Sequence, residues 1–281
     1  MSGEDALKGL WQAVFGDGPD EINRFFDTFY APERAVTLTD GGRIAAMAHI
    51  VPVGELVLGS RRLPCAFIYA VAAAPALRGR GYGRRVVERA SERALELGFE
   101  AVVLRPASPP LFDFYAALGY RPFFTACSLA LDPKSVIGSE TAALRRLPPD
   151  KYAPLRRRFL QGAAFIDFDP KALAYQETLC GSGGGLFMAE RGGAALGLAI
   201  IEAEGEDVFV KELLCAPEDF LHVRAALQSA YPSRVIRVRA PAFCLPPGAA
   251  KPEPFGMVYG NPPGEAALSP GAGNWYGPAF D

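Results

Sequence analysis

The sequence predicts an α/β protein with a mixed sheet, built as two units, and three observations carry that prediction. Apolar runs with the short period of strands give way at Gly83 to a helical period, then return to a strand. A succession of strands, helix and strand recurs in the second half of the chain. Glycine and proline clusters separate the runs, as turns between strands require. With 281 residues, 50% of them hydrophobic, the chain is long enough for two packed cores.

Two amphipathic helices open the chain, "EDALKGLWQAVF" and "DEINRFFDTFY", separated by "GDGP", where Pro19 or Asp20 starts the second helix. Strand-like runs follow: "AVTLTD", a turn at Gly41 and Gly42, "RIAAMAHIVPV", "ELVLG" and "CAFIYAVA". Val86, Val87, Ala90, Ala94 and Leu97 then recur at helical spacing with charged residues between them, and Gly98 stops that helix. "EAVVLRP" reads as a strand, "SPPLFDFYAAL" as a short helix opened by Ser108 and proline and ended at Gly119, and "FFTACSLAL" as a closing strand. The expected order is α-α-β-β-β-β-α-β-α-β, ending near Leu131.

The expected domains are 1–132 and 133–281, joined through "DPKSVIGSETAALRRLP". The second opens with helical "PDKYAPLRRRFLQ", continues with strands "GLFMAER", "AALGLAIIEAE" and "DVFVKELLCAP", and adds the helix "EDFLHVRAALQSAYP" and the strand "RVIRVRAP". Its proline- and glycine-rich tail reaches "PFGMVYG" and "NWYGPAF", which read as edge strands.

Several function classes are excluded at this level. A formal net charge of -2 supplies no global field for nucleic acid or an anionic membrane. No apolar run reaches the length of a membrane-spanning helix, and "MSGEDALKGL" lacks the order of a signal peptide, so a cytoplasmic location is expected. Cys65, Cys127, Cys180, Cys215 and Cys244 are widely separated and read as buried thiols. With only His49 and His222, and no CxxC or HxxxH spacing, no metal centre is expected. A GxSxG elbow is absent, and "CGSGGG" at 180–185 reads as a turn.

The stretch "RGRGYGRR", Arg78 to Arg85, stands between a strand and a helix. It lacks the lysine of a GxxxxGK[ST] loop, and Arg84 stands where GxGxxG needs its third glycine. What remains is a set of glycines opening a helix, whose first-turn N–H groups lack intrahelical partners and face outward at the positive end of the dipole. Such amides bind anions, Gly81 and Gly83 leave them uncovered, and Arg78 with Arg84 or Arg85 adds charge suited to phosphate oxygens.

"VAAAPALRGRGYG" resembles motif A of the GNAT superfamily of acyl-CoA-dependent N-acyltransferases, R/Q-x-x-G-x-G/A after a strand. Arg78, Gly81 and Gly83 occupy its defining positions, and "SPPLFDFYAALGYRP" is similar to the family's later helix and turn. The resemblance covers residues 5 to 131 and implies acetyl-CoA as co-substrate. It implies that Val71, Ala72 and Ala73 receive the pantetheine arm as an added strand, and that Gly79, Arg80, Gly81, Tyr82, Gly83 and Arg84 cradle the pyrophosphate. Ser108 joins the implied cofactor contacts. Tyr115 matches the family tyrosine that protonates the departing thiolate, and the amide of Val71 or a neighbour would stabilise the oxyanion.

The base is left open among His49, Glu55 and, through a resemblance to the enhanced-intracellular-survival proteins, the terminal carboxylate of Asp281. In the second unit, "EDFLHVRAAL" has no glycine and places Glu218 and Asp219 in the first helical turn, where they would repel pyrophosphate. That unit is expected to be a degenerate GNAT-like domain shaping the acceptor pocket or an oligomer interface, with a homodimer as the candidate assembly. The expected activity is acetyl transfer to a primary amine of a small molecule or peptide. The alternative is a non-catalytic acyl-CoA sensor.

Overall fold

Gly41 and Gly42 both take positive φ, 56° and 76°, and this reverses the chain tightly enough for Ala35–Asp40 (β1) to pair antiparallel with Arg43–Leu58 (β2). The computed structural model describes residues 3–133, 142–260 and 273–280. Contacts divide the chain into two units, the first comprising Met1–Gly54, Leu63–Arg121 and Met257–Glu265, the second Glu55–Arg62, Pro122–Gly256 and Ala266–Asp281. The fold is α/β with mixed strand pairing, as the sequence predicts.

In the first unit, Gly3–Phe15 (α1) and Pro19–Phe29 (α2) bury Leu7, Leu10, Trp11, Ile22, Phe25, Phe26 and Phe29. Gly18 enters α2 with its N–H bonded to the Glu21 carboxylate at 2.9 Å, and Pro19 follows at a position that needs no donor. After β1 and β2 come Arg61–Ala73 (β3), Tyr82–Glu96 (α3), Ala101–Leu104 (β4), Pro110–Ala116 (α4) and the start of Tyr120–Leu131 (β5). Strands β3 and β4 pair in parallel, and α3 makes the crossover that this pairing needs. The expected break between "RIAAMAHIVPV" and "ELVLG" does not occur. β2 runs unbroken past Pro52 and Gly54 because Ile50, Val51, Val53, Leu56 and Val57 are all buried, so the observed order has one strand fewer.

The second unit contains Ala143–Arg146 (β6), Pro149–Phe159 (α5), Ala164–Phe168 (β7), Pro170–Thr178 (α6), Gly185–Arg191 (β8), Ala194–Glu204 (β9), Asp207–Cys215 (β10), Phe220–Ala230 (α7) and Ile236–Ala240 (β11). Its strands run in the order β6-β8-β9-β10-β11. All these neighbours are antiparallel except β10 and β11, which α7 joins in parallel. β6, β7 and α6 escape the sequence reading, being short; α6 is opened by Asp169, which accepts the Ala172 N–H at 2.7 Å. A buried ion pair, Arg156 to Glu212 at 2.9 Å, forms the polar heart of this unit. Glu212 also accepts from Tyr152 Oη at 3.0 Å and from Trp275 Nε1 at 2.7 Å, which ties down the described tail.

The units exchange strands. Cys127–Leu131, expected to close the first unit, instead pairs antiparallel with β11 in the second. In return Met257 and Val258 of Glu253–Tyr259 (β12) pair antiparallel with Leu104 and Val103 of β4 in the first. Asn274–Trp275 (β13) pairs in parallel with β7. Residues 134–141 of the expected connector lie outside the described residues. All five cysteines are buried free thiols, and "CGSGGG" forms a turn leading into β8. Among the described residues no helix is long and apolar enough to cross a membrane.

Candidate active site

The site of the first unit begins where two parallel strands part. The β3–β4 ladder runs from Cys65↔Ala101 to Phe67↔Val103, and β4 ends at Leu104 while β3 continues to Ala73. Ala70 lies between, at φ 49°, a left-handed conformation that costs a side-chain-bearing residue roughly 1–2 kcal/mol. The kink interrupts the burial of Cys65 to Ile68, leaving Tyr69, Ala70, Val71 and Ala73 half-exposed and Ala72 buried. Ala74 donates its N–H to Ala45 O at 2.8 Å and holds the strand end to β2. The β4-facing backbone edge of Val71, Ala72 and Ala73 therefore extends past the end of its neighbour.

From Ala73 the chain passes through a 3-10 turn, Pro75–Leu77, into the glycine stretch. Gly79 and Gly81 take φ 79° and 78°, and Gly81 is the N-cap of α3. No side chain caps this helix and its first turn carries no acid. The first backbone N–H returned to the loop is that of Arg85, to Gly81 O at 3.1 Å. A Cβ built on Gly79, Gly81 or Gly83 would meet nothing within 4 Å. Glycine is therefore not demanded by protein neighbours here: positive φ explains 79 and 81, and Gly83 leaves open space over uncapped amides. These features fit a pyrophosphate.

The arginines divide by task. Arg78 is exposed and makes no ion pair among the described residues. Arg80 lies 3.6 Å from Asp40, while Arg85 lies over the half-buried Tyr82 ring at 5.5 Å. The Arg84 side chain is turned to its own scaffold, donating to Glu88 at 2.9 Å and to Ala117 O at 3.1 Å. That leaves its backbone N–H, in the uncapped first turn, as the Arg84 group open to a ligand there. Ser108 is exposed and does not cap α4 as expected; Pro109 holds the N-cap position because the chain is already helical there, at φ -52° and ψ -42°.

Tyr115 lies on α4, 8% exposed, and its hydroxyl makes no hydrogen bond among the described residues. Burial pushes its phenol up from 10.0 to about 12. Tyr120, at the start of β5, packs edge-on against it with centroids 5.9 Å apart. The Tyr120 hydroxyl lies 2.7 Å from Ser91 Oγ on the buried side of α3. This pair was missed in the sequence, although a serine at helical spacing from Val87 and Ala94 in an apolar stripe is a visible signal.

The candidate bases differ in setting. His49 is 3% exposed on β2, its Nε2 has no partner, and burial lowers its pKa from 6.5 to about 4. The rings of Trp11, Phe25 and Phe26 surround it at 5.9, 5.1 and 5.6 Å. Glu55 belongs to the second unit and is paired at 2.7 Å with Arg62, which also bonds Asp167. Asp281 lies outside the described residues. Among the described residues no group of three or more His, Cys, Asp or Glu could hold a metal ion.

A splayed parallel pair, a kinked strand and an uncapped glycine-led helix occur together in one segment. Residues 2–123 match the family model for the Acetyltransferase (GNAT) domain. This segment is a GNAT acetyltransferase domain. Solved structures share the fold over most of the chain. The probable N-acyltransferase from Enterococcus faecalis V583 is 14% identical with a TM-score of 0.70, covering 91% of this chain and 69% of that one. The GCN5-related N-acetyltransferase from Anabaena variabilis ATCC 29413 is 18% identical with a TM-score of 0.69, covering 92% and 70%. That from Kribbella flavida is 21% identical with a TM-score of 0.66, covering 90% and 67%. No curated protein matches the chain in sequence. GNAT domains use acetyl-CoA as co-substrate, and the open space and uncapped amides at the start of α3 fit its pyrophosphate.

Proposed function

We propose that the GNAT domain transfers the acetyl group of acetyl-CoA to a primary amine of a small molecule or peptide by direct attack. The observation that carries this reading is the uncapped N-terminus of α3, with open space at Gly79, Gly81 and Gly83, beside the end of β3 that runs past its β4 neighbour. When bound, acetyl-CoA supplies the thioester carbonyl carbon. The amides of Tyr82, Gly83 and Arg84 with the side chain of Arg78 hold the pyrophosphate, and Arg80 adds charge at the rim. The backbone of Val71, Ala72 and Ala73 receives the pantetheine amides, and Ser108 contacts the cofactor at the α4 end. The amine nitrogen bonds to the carbonyl carbon, the carbon–sulfur bond breaks, and the amide of Val71 stabilises the oxyanion.

Tyr115 donates its proton to the departing sulfur. Its phenol is raised to about 12 by burial, and a thiolate formed in the same desolvated setting is raised by the same physics, as the buried Cys65 thiol is. The donor and acceptor stay matched for that reason. The ammonium proton passes to solvent before attack, the nitrogen loses a second proton as the amide forms, and a proton returned through solvent restores the Tyr115 phenol, so one proton is released net per turnover; His49 is neutral at pH 7 and contributes shape and low polarity.

The second unit supports the reading of one cofactor site. Its helix α7 follows a 3-10 turn, Pro217–Asp219, with Asp219 at the N-cap, and no glycine opens it. Carboxylates there disfavour a second pyrophosphate. This unit is a degenerate GNAT-like domain whose role is to shape acceptor choice or an interface.

The test is thiol release from acetyl-CoA against a panel of amines. Release with at least one primary amine supports the reading. Acetyl-CoA binding without release on any amine favours the sensor, and absence of binding sinks both.

A further inference from the structure

We propose that Tyr120, pinned to Ser91 of α3, is a positioning residue that holds Tyr115 at the reacting sulfur; this rests on the general-acid reading of Tyr115. Helix α4 has seven residues and no side-chain cap, too short to fix a side chain by itself. The Tyr115 hydroxyl makes no hydrogen bond among the described residues, so packing orients the ring. Its ring neighbours are Phe114, centroids 5.1 Å apart, and Tyr120 at 5.9 Å. Phe114 rides on the same helix and moves with it. Tyr120 does not.

Tyr120 is 3% exposed and held from three sides. Ser91 Oγ donates its single proton to Val87 O at 2.8 Å, so the bond of 2.7 Å between the hydroxyls has Tyr120 as donor. Tyr259 packs on the same ring at 5.1 Å, and Gly260 N–H bonds Gly119 O at 3.0 Å beside it. Ser91 is fully buried among Val86, Val87, Ala90 and Ala94, where alanine would suffice for packing alone. The hydroxyl pair gives direction instead. It joins the helix whose first turn forms the cradle to the ring that abuts Tyr115, and the Arg84 bond to Ala117 O ties that helix to the end of α4 near the cradle. Cofactor seating and acid placement thus share one rigid frame.

The test compares kcat and the KM for acetyl-CoA, by thiol release, in wild type, Tyr120→Phe, Ser91→Ala, Tyr115→Phe and Tyr115→Phe/Tyr120→Phe. Tyr120→Phe and Ser91→Ala should each lower kcat by about fivefold to twentyfold with KM unchanged, since small misplacements cost rate and not binding. In the Tyr115→Phe background the effect of Tyr120→Phe should vanish. An equal fold loss in both backgrounds, or unchanged kcat in Tyr120→Phe while Tyr115→Phe is impaired, overturns the positioning role. If Tyr115→Phe alone leaves kcat unchanged, the general-acid reading falls and takes this role with it.

Discussion

Lowering the pH from 7 to 5 should destabilise the protein by about 2 kcal/mol through His49 alone. The imidazole is 3% exposed, Nε2 is unpartnered, and Trp11, Phe25, Phe26 and Tyr30 ring it at 5.1 to 6.2 Å. Two charges beside those rings are engaged elsewhere: Lys8 lies 5.0 Å over the Phe26 ring and pairs with Glu4 at 2.7 Å, and Asp17 accepts Trp11 Nε1 at 2.7 Å. Burial therefore sets the pKa, lowering it from 6.5 to about 4. The unfolded chain takes up a proton near pH 6.5, and the folded chain resists until about 4. Stability is thus fully present above 6.5 and lost as pH falls toward 4, by about 3 kcal/mol in all at about 1.36 kcal/mol per unit. Urea unfolding at pH 7, 6 and 5 should show this slope in the wild type and its loss in His49→Leu. An equal slope in both would refute the reasoning, because the buried imidazole would then not be the proton-linked group.

Other outcomes follow from the same structure. Gly83→Asp should abolish acetyl-CoA binding in calorimetry while the melting temperature holds or rises, because a Cβ added there meets no atom within 4 Å and an acid suits a helix N-terminus. Glu212→Gln should cost about 3–5 kcal/mol in chemical denaturation, since it strips the charge partner from a fully buried guanidinium. A fragment ending at residue 132 should fail to give dispersed amide spectra, because it lacks Met257 and Val258 against β4 and leaves Cys127–Leu131 without β11. Thiol release should show no tyrosine-dependent loss between pH 8 and 10, as Tyr115 holds its proton to about 12. A falling limb in that range that disappears in Tyr115→Phe would contradict the burial of the phenol.

Much of the first unit was legible in the chain. Helix α3 could be read because Val86, Val87, Ala90 and Ala94 recur on one face and Gly81 precedes them, all of which are local signals. The uncapped turn was legible for the same reason, through glycines without an acid nearby. The kink at Ala70 was not, since alanine carries no preference for positive φ and only tertiary packing holds it there. Nor was the task of Arg84, whose guanidinium finds Ala117 O across 33 residues of sequence. Tyr115 and Tyr120 stand five residues apart in one short motif, and nothing local distinguishes an unbonded hydroxyl from one bonded to Ser91.

By itself, then, the sequence determined most helices and strands of the first unit, the glycine-led start of α3 without a side-chain cap, and the absence of such a glycine start at α7 in the second unit. These depend on periodicity and on residues within a few positions of each other. The tertiary structure decided which sheet each strand enters. "FFTACSLAL" has the same pattern whether it closes its own unit or pairs with β11, and β12 reaches β4 from more than 150 residues away. Such pairing is settled by backbone hydrogen bonds and burial summed over the whole molecule, which no local run of residues encodes.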